Sequence, residues 1–132
     1  MKFSAAEAEA LVKRLKFKRC LITAVAVDAK TKDVLMVAHM NREAVLKTLR
    51  TGLMHYWSRS RRRLWLKGET SGHLQKVRRV RVDCDGDVLL FDVDQVGAAC
   101  HEGYPSCFYR EVKRGKPTAI QKRKFNPKEV YS

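Results

Sequence analysis

Residues 77–96 read VRRVRVDCDGDVLLFDVDQV, and the fold turns on how this stretch is divided. From Val77 to Cys84 the pattern alternates. Val80, Val82 and Cys84 fall on one side, and Arg79, Arg81 and Asp83 fall on the other. That period of two is a strand with one buried face. Val88 to Val96 is a second, more apolar strand. Between them Asp85-Gly86 is a good turn pair, so a solvated hairpin is one reading of the stretch.

Working back toward the N-terminus, residues 21–27 (LITAVAV) are small and β-branched and read as a strand. Asp28 to Asp33 is a polar turn, and Val34 to Ala38 completes a second hairpin. Residues 4–15 read as a helix. Ser4 and Glu7 make a capping box, and Ala8, Leu11, Val12 and Leu15 recur at helical spacing. Asn41 caps another helix, with Glu43 in its first turn, Val45, Leu46 and Leu49 as its apolar side, and Gly52 at its C-terminus. Leu53 to Trp57 and Phe108 to Val112 are shorter strand candidates. From Lys113 onward the chain is basic and holds Pro117 and Pro127, which predicts a loosely wrapped or frayed tail. Strands with a few unevenly placed helices make an α+β class.

At 132 residues, 45% hydrophobic and 32% charged, the chain suits one globular domain with its own core. No run approaches the ~18 apolar residues of a membrane span. The N-terminus lacks the apolar core of a secretory signal, being broken by Glu7, Glu9 and Lys13. The expectation is therefore a cytoplasmic protein with no membrane partner. There thiols stay reduced, so four cysteines read as metal ligands or buried hydrophobes. The net charge of +14 fits either a nucleic acid, bound through its phosphates, or a small phosphorylated substrate on a basic surface.

The chemistry gathers in three places. Asp83, Asp85 and Asp87 share a face of an extended chain. They are either oxygen ligands for a hard cation such as Mg²⁺ or a solvated turn. Cys84 projects to the opposite face. Cys100-His101-Glu102-Gly103-Tyr104-Pro105-Ser106-Cys107 brings two thiols together across a Gly/Pro loop. Three protein ligands on zinc leave a fourth position for water, the catalytic arrangement. The bland reading keeps the cysteines inert and buried, as expected for Cys20. His101 is either a ligand or a proton-transfer group. His39 and His55 read as core or edge residues, and His73 as a substrate contact. Residues 58–72 mix Arg59, Arg61, Arg62, Arg63 and Lys67 with Ser71 and glycines. Guanidinium forks bind phosphate bidentately, and Trp57 or Trp65 can stack on a base. The competing reading is a basic surface strand with one buried tryptophan.

YWSRSRRRLWLKGETSG, then DCDGD, then CHEGYPSCFYR, in this order and spacing, resembles phosphoribosyl-AMP cyclohydrolase of histidine biosynthesis. The resemblance runs from about Thr23 to Arg110. It implies a small, mostly-β, barrel-like roll packed with one or two helices, and an obligate homodimer. Residues 1–112 would form the cyclohydrolase domain and residues 113–132 its basic extension. It further implies zinc held by Cys100 and Cys107 with Cys84 of the other subunit, and Mg²⁺ at Asp83, Asp85 and Asp87. The phosphorylated nucleotide would meet Arg59, Arg61, Trp65, Lys67, Glu69, Ser71 and His73, with His101 moving the proton as the N1–C6 bond of 1-(5-phosphoribosyl)-AMP opens. The family pattern has threonine at Glu102, proline at Ala98, asparagine at His73 and glutamine at Val27. None of these removes a metal ligand. The alternative to this enzyme is a basic nucleic-acid-binding module with a structural zinc. The acidic cluster beside the cysteines makes nucleic acid the less favourable partner.

Overall fold

Ser4 opens the first helix, α1 (Ala5–Arg14). Its hydroxyl accepts from the Glu7 N–H while the Glu7 carboxylate accepts from the Ser4 N–H, so two orphan donors are satisfied reciprocally. The second helix, α2 (Arg42–Thr51), is capped by Asn41 and stops at Gly52 in the left-handed conformation, φ 76°. Ala8 and Val12 of α1 and Ala44, Val45 and Leu49 of α2 are buried. The computed structural model, which describes residues 1–131, packs these helices together against one sheet.

That sheet has four strands, β1 (Ile22–Asp28), β2 (Val34–Met40), β5 (Gln75–Val82) and β6 (Val88–Gln95), in the order β2-β1-β6-β5. Two antiparallel hairpins meet through a parallel pairing of β1 with β6, from Thr23 opposite Val88 to Asp28 opposite Val93. The central strands carry the core, with Ala24, Ala26, Leu89, Phe91 and Val93 fully buried. Two short hairpins lie outside the sheet, β3–β4 (His55–Ser58, Arg63–Leu66) and β7–β8 (Arg110–Lys113, Lys116–Ala119). A short third helix, α3 (Pro127–Val130), follows. No helix among the described residues is long and apolar enough to cross a membrane.

Four expectations need correction. The expected barrel-like roll is not a closed barrel: β2 and β5 are the outer strands of a mixed, four-stranded sheet, with residues 52–54 laid along β5 and the 106–107 loop along β2, and three helices rather than one or two are present. The clean alternation over 77–84 is broken by a bulge between Val77 and Arg79. One extra residue flips the parity, so Val77 and Val80 both turn inward although they lie three apart, while Val82 is exposed. Cys20 is not in the core. It is exposed in a tight turn, with Arg19 and Cys20 both at positive φ and Lys18 bridged to Leu21. The C-terminal segment is not frayed: it forms β8, returns to the cysteine loop and ends in α3.

One buried polar chain ties the sheet to the outer hairpin. The Tyr56 hydroxyl donates to Gln75 Oε1 at 2.7 Å, and Gln75 Nε2 donates to Gln95 Oε1 at 2.8 Å. Tyr56 and Gln75 are both fully buried. Each therefore needs that partner, because an unpaired buried polar group costs about 1–3 kcal/mol. The network fixes β3–β4 over the end of the sheet, and that placement makes the site.

Candidate functional site

A cavity of about 1120 Å³ opens between β2, the β3–β4 hairpin and the loop after β6. Arg59 and Arg61 reach it from the β3–β4 turn. Trp65, Lys67, Glu69 and Ser71 come from β4 and the loop beyond, and His101 and Cys107 come from the cysteine loop. A volume of this order takes a nucleotide-sized ligand. The wall is cationic, but not uniformly so. Arg63 is ion-paired with Glu69, which leaves Arg59 and Arg61 as the exposed guanidinium forks. The ring of Trp65 is half-buried against Tyr56, centroids 5.2 Å apart.

Lys67 is the unusual cation. It is 8% exposed, and its Nζ donates to the Ala99 carbonyl at 2.5 Å. Burial pulls its ammonium below the ordinary lysine range, while Cys107 and Cys100 nearby oppose that shift. A buried positive charge needs compensation; the Ala99 carbonyl supplies a hydrogen bond, and Cys107 and Cys100 would add negative charge once ionised.

The cysteine loop is tightly folded. The Ala99 N–H donates to Pro105 and the Cys100 N–H to Tyr104, both at 3.2 Å, and the Gly103 N–H returns to Cys100 at 3.0 Å. Ser106, 2% exposed, donates from its hydroxyl to the Val34 carbonyl at 2.6 Å, and the Cys107 N–H donates to Leu35 at 2.8 Å. The loop is thus stitched to β2, with the two thiols side by side. Although Cys107 as a residue is exposed, desolvation around its sulfur pushes the thiol up to about 11, and the neighbouring Cys100 adds to the shift. Two adjacent sulfurs beside an ammonium are a donor set suited to a soft or borderline cation. A cation is also what would let both thiols ionise.

Cys84 lies elsewhere. It is exposed on the β5–β6 turn, and the eight residues of β6 put the order of 25 Å between that turn and the cysteine loop. The same turn holds Asp83, Asp85 and Asp87. Among the described residues this is the one group of three or more potential metal-ligating side chains whose ligand atoms converge, all within 4.8 Å. Burial alone would raise Asp83, but N–H donors from Asp87, Val88 and Gly86 outweigh it and hold the carboxyl below its usual range. Asp87 is raised by its hydrogen bond to Asp83 and by the charges of Asp83 and Asp85. The two readings of this segment are compatible, since Asp83 Oδ1 caps the turn while oxygens of all three carboxylates still converge within 4.8 Å.

His73 is not among the cavity-lining residues. Its ring lies over Gly97, where an added side-chain carbon would meet it at 2.5 Å, and stands edge-on to Phe125 at 5.0 Å. His101 and Glu102 are exposed on the cavity rim, and Glu102 accepts from the Tyr109 hydroxyl at 2.7 Å. Sequence reasoning missed His39, Glu102, Pro127 and Tyr131 as lining residues. His39 stands two residues from Val37 on the same side of β2, and both side chains face the cavity. Burial and the Arg59 charge both hold the His39 imidazole below its ordinary range.

A model of the family described as phosphoribosyl-AMP cyclohydrolase, PRA-CH, matches residues 36–109. The chain is 56% identical over 117 residues to the phosphoribosyl-AMP cyclohydrolase of Methanosarcina acetivorans, covering 89% of this chain and 95% of that protein. It is 59% identical over 112 residues to the one from Nitratidesulfovibrio vulgaris, covering 84% and 89%. It is 56% identical over 131 residues to the one from Rhodopseudomonas palustris, covering 93% and 87%. These relationships do not favour the reading of the charge as a nucleic-acid module.

Proposed function

The chain belongs to the phosphoribosyl-AMP cyclohydrolase family of enzymes, and from that premise we propose that it hydrolyses the N1–C6 bond of 1-(5-phosphoribosyl)-AMP, the third step of L-histidine biosynthesis, as a cytoplasmic, metal-dependent homodimer. The observation that carries this reading is the meeting of Arg59, Arg61, Lys67, His101 and Cys107 on one cavity of about 1120 Å³. That set offers phosphate recognition, a proton carrier and a soft metal ligand within one enclosure.

In this reading Cys100 and Cys107 hold zinc together with the partner's Cys84, since their own Cys84 sits at the far end of β6. Zinc, when bound, supplies a water activated near neutral pH. Arg59 and Arg61 hold the two terminal phosphates by paired N–H donors. Trp65 offers an aromatic face to the purine, and Ser71 and the Arg63–Glu69 pair shape the wall where the ribose lies. Lys67 keeps its charge against the thiolates and anchors the loop through the Ala99 carbonyl. His101, exposed on the rim, carries the proton that N1 takes as the C6–N1 bond breaks. Mg²⁺ at Asp83, Asp85 and Asp87 would balance three like charges and orient a phosphate or the ribose. The hydrolysis adds water across the bond, leaving a carboxamide at C6 and a formimino nitrogen at N1.

Ultraviolet-monitored turnover of phosphoribosyl-AMP tests the reading. Zinc-loaded protein with Mg²⁺ is expected to open the ring, and a chelated control is expected not to. No turnover by intact, zinc-loaded dimer would sink it. Asp85→Asn should weaken the Mg²⁺ dependence and leave zinc content unchanged, and an unaltered Mg²⁺ titration would remove the aspartates from the reaction.

A further inference from the structure

The basic segment beyond β8 is built into the site. The Lys124 N–H donates to the Gly103 carbonyl at 2.6 Å. Gly103 lies at φ 96°, and a Cβ added there would sit 2.3 Å from the Phe125 carbonyl oxygen. This is a backbone-on-backbone contact that only glycine permits. The Arg123 guanidinium lies over the Tyr104 ring at 5.3 Å. The Phe125 ring, half-buried, stands against His73 on one side and Tyr131 on the other, at 5.0 and 6.1 Å. Asn126 then caps the turn into α3, and that turn delivers Pro127 and Tyr131 to the wall of the cavity.

We propose that residues 122–131 complete the substrate site of the cyclohydrolase proposed above. The Lys124–Phe125 backbone clamps the Cys100–Cys107 loop from behind, the Phe125 ring is a positioning residue that holds this backbone in place through His73 and Tyr131, and Tyr131 is a substrate-contacting wall of the cavity. Three features separate this from ordinary surface packing. The segment touches the cysteine loop through its backbone at Gly103 and through a ring at Tyr104. It fills the space behind His73, which itself leaves the cavity free. It also ends with an aromatic side chain 42% exposed on the same cavity as His101 and Lys67. Tyrosine supplies a flat, amphipathic contact with little entropy to lose, which suits a base or ribose.

The test uses the full-length protein in two arms. Amide exchange of peptides spanning residues 99–107 reads the clamp without reference to turnover. Phe125→Ala should speed it about tenfold, Phe125→Leu should largely restore it, and β1 and β6 amides should be unmoved, as for a local rather than global opening. Steady-state kinetics read the wall: Tyr131→Ala should raise KM roughly tenfold with kcat within about twofold, the signature of lost uniform binding. Unchanged exchange in Phe125→Ala overturns the clamp, and an unchanged KM in Tyr131→Ala overturns the wall. Faster exchange in Phe125→Ala, when the wild-type protein does not open phosphoribosyl-AMP, would retain the clamp and reject the substrate. Normal turnover with neither effect would do the reverse.

Discussion

Cys100→Ser is expected to abolish zinc binding and reduce turnover by more than about 100-fold, because mutating even the outer partners of metal ligands costs roughly 10–100-fold. Cys100 is 4% exposed and its neighbour Cys107 lies within hydrogen-bonding reach. The pair is therefore one unit, and a serine hydroxyl is a poor zinc ligand beside a thiolate. Burying that hydroxyl near the loop carbonyls should cost stability by no more than about 1–3 kcal/mol, so a folded protein is expected to survive. Metal analysis beside a thermal melt separates the two effects. Full activity with no bound zinc would end the metal-dependent reading, and loss of the melt would show only that the loop is structural.

Mixing two inactive variants should give the largest gain. Cys84→Ser and Cys100→Ser are each expected to be dead as pure dimers. Co-refolded in equal amounts, they should recover about a quarter of wild-type turnover. Half the dimers would then be mixed, and each mixed dimer would hold one intact site of two, as twofold symmetry requires. The length of β6 keeps Cys84 the order of 25 Å from the cysteine loop of its own chain, while both segments carry exposed thiols. Recovery would place ligands of one site on both subunits. No recovery, with mixed dimers demonstrated by mass, would confine the site to one chain and remove Cys84 from it.

The parts of this molecule that local chemistry decides were readable from its residues. The Ser4–Glu7 box, the Asn41 cap and the Gly52 stop each satisfy backbone groups within a few positions, and both helices lie where those residues put them. The four strands of the main sheet were visible as apolar or alternating runs, whereas β8 (KPTA), exposed throughout, was not. Their order was not, because the β1–β6 pairing depends on residues sixty or more positions apart. The bulge after Val77 carries no glycine or proline to announce it. Cys20 was misjudged because a thiol's usual burial says nothing about a turn with two positive φ angles. In the site, the arginines, Lys67, His101 and Cys107 announced themselves by composition. Lys67 faces the cysteine loop's backbone, which no spacing could reveal. The tail's part in the cavity was hidden because Pro and Lys are more often signs of a free end.

The parallel union of β1 with β6 also bears on how the molecule forms. A chain leaving the ribosome can pair β1 with β2 at once, but that hairpin has no central neighbour until residue 95 has been made. The sheet's closure therefore waits for a contact of long sequence separation, which places refolding toward the slow side of small domains, in about the millisecond-to-second range. The cysteine loop comes next in order and is stitched to β2 through Ser106 and Cys107, so its thiols meet only after the sheet they rest on exists. Before that moment they are ordinary reduced cysteines on an unfolded chain. Capture of a metal by this loop, as proposed above, would thus be a late event, and a stopped-flow zinc signal would be expected to lag the packing of the tryptophans.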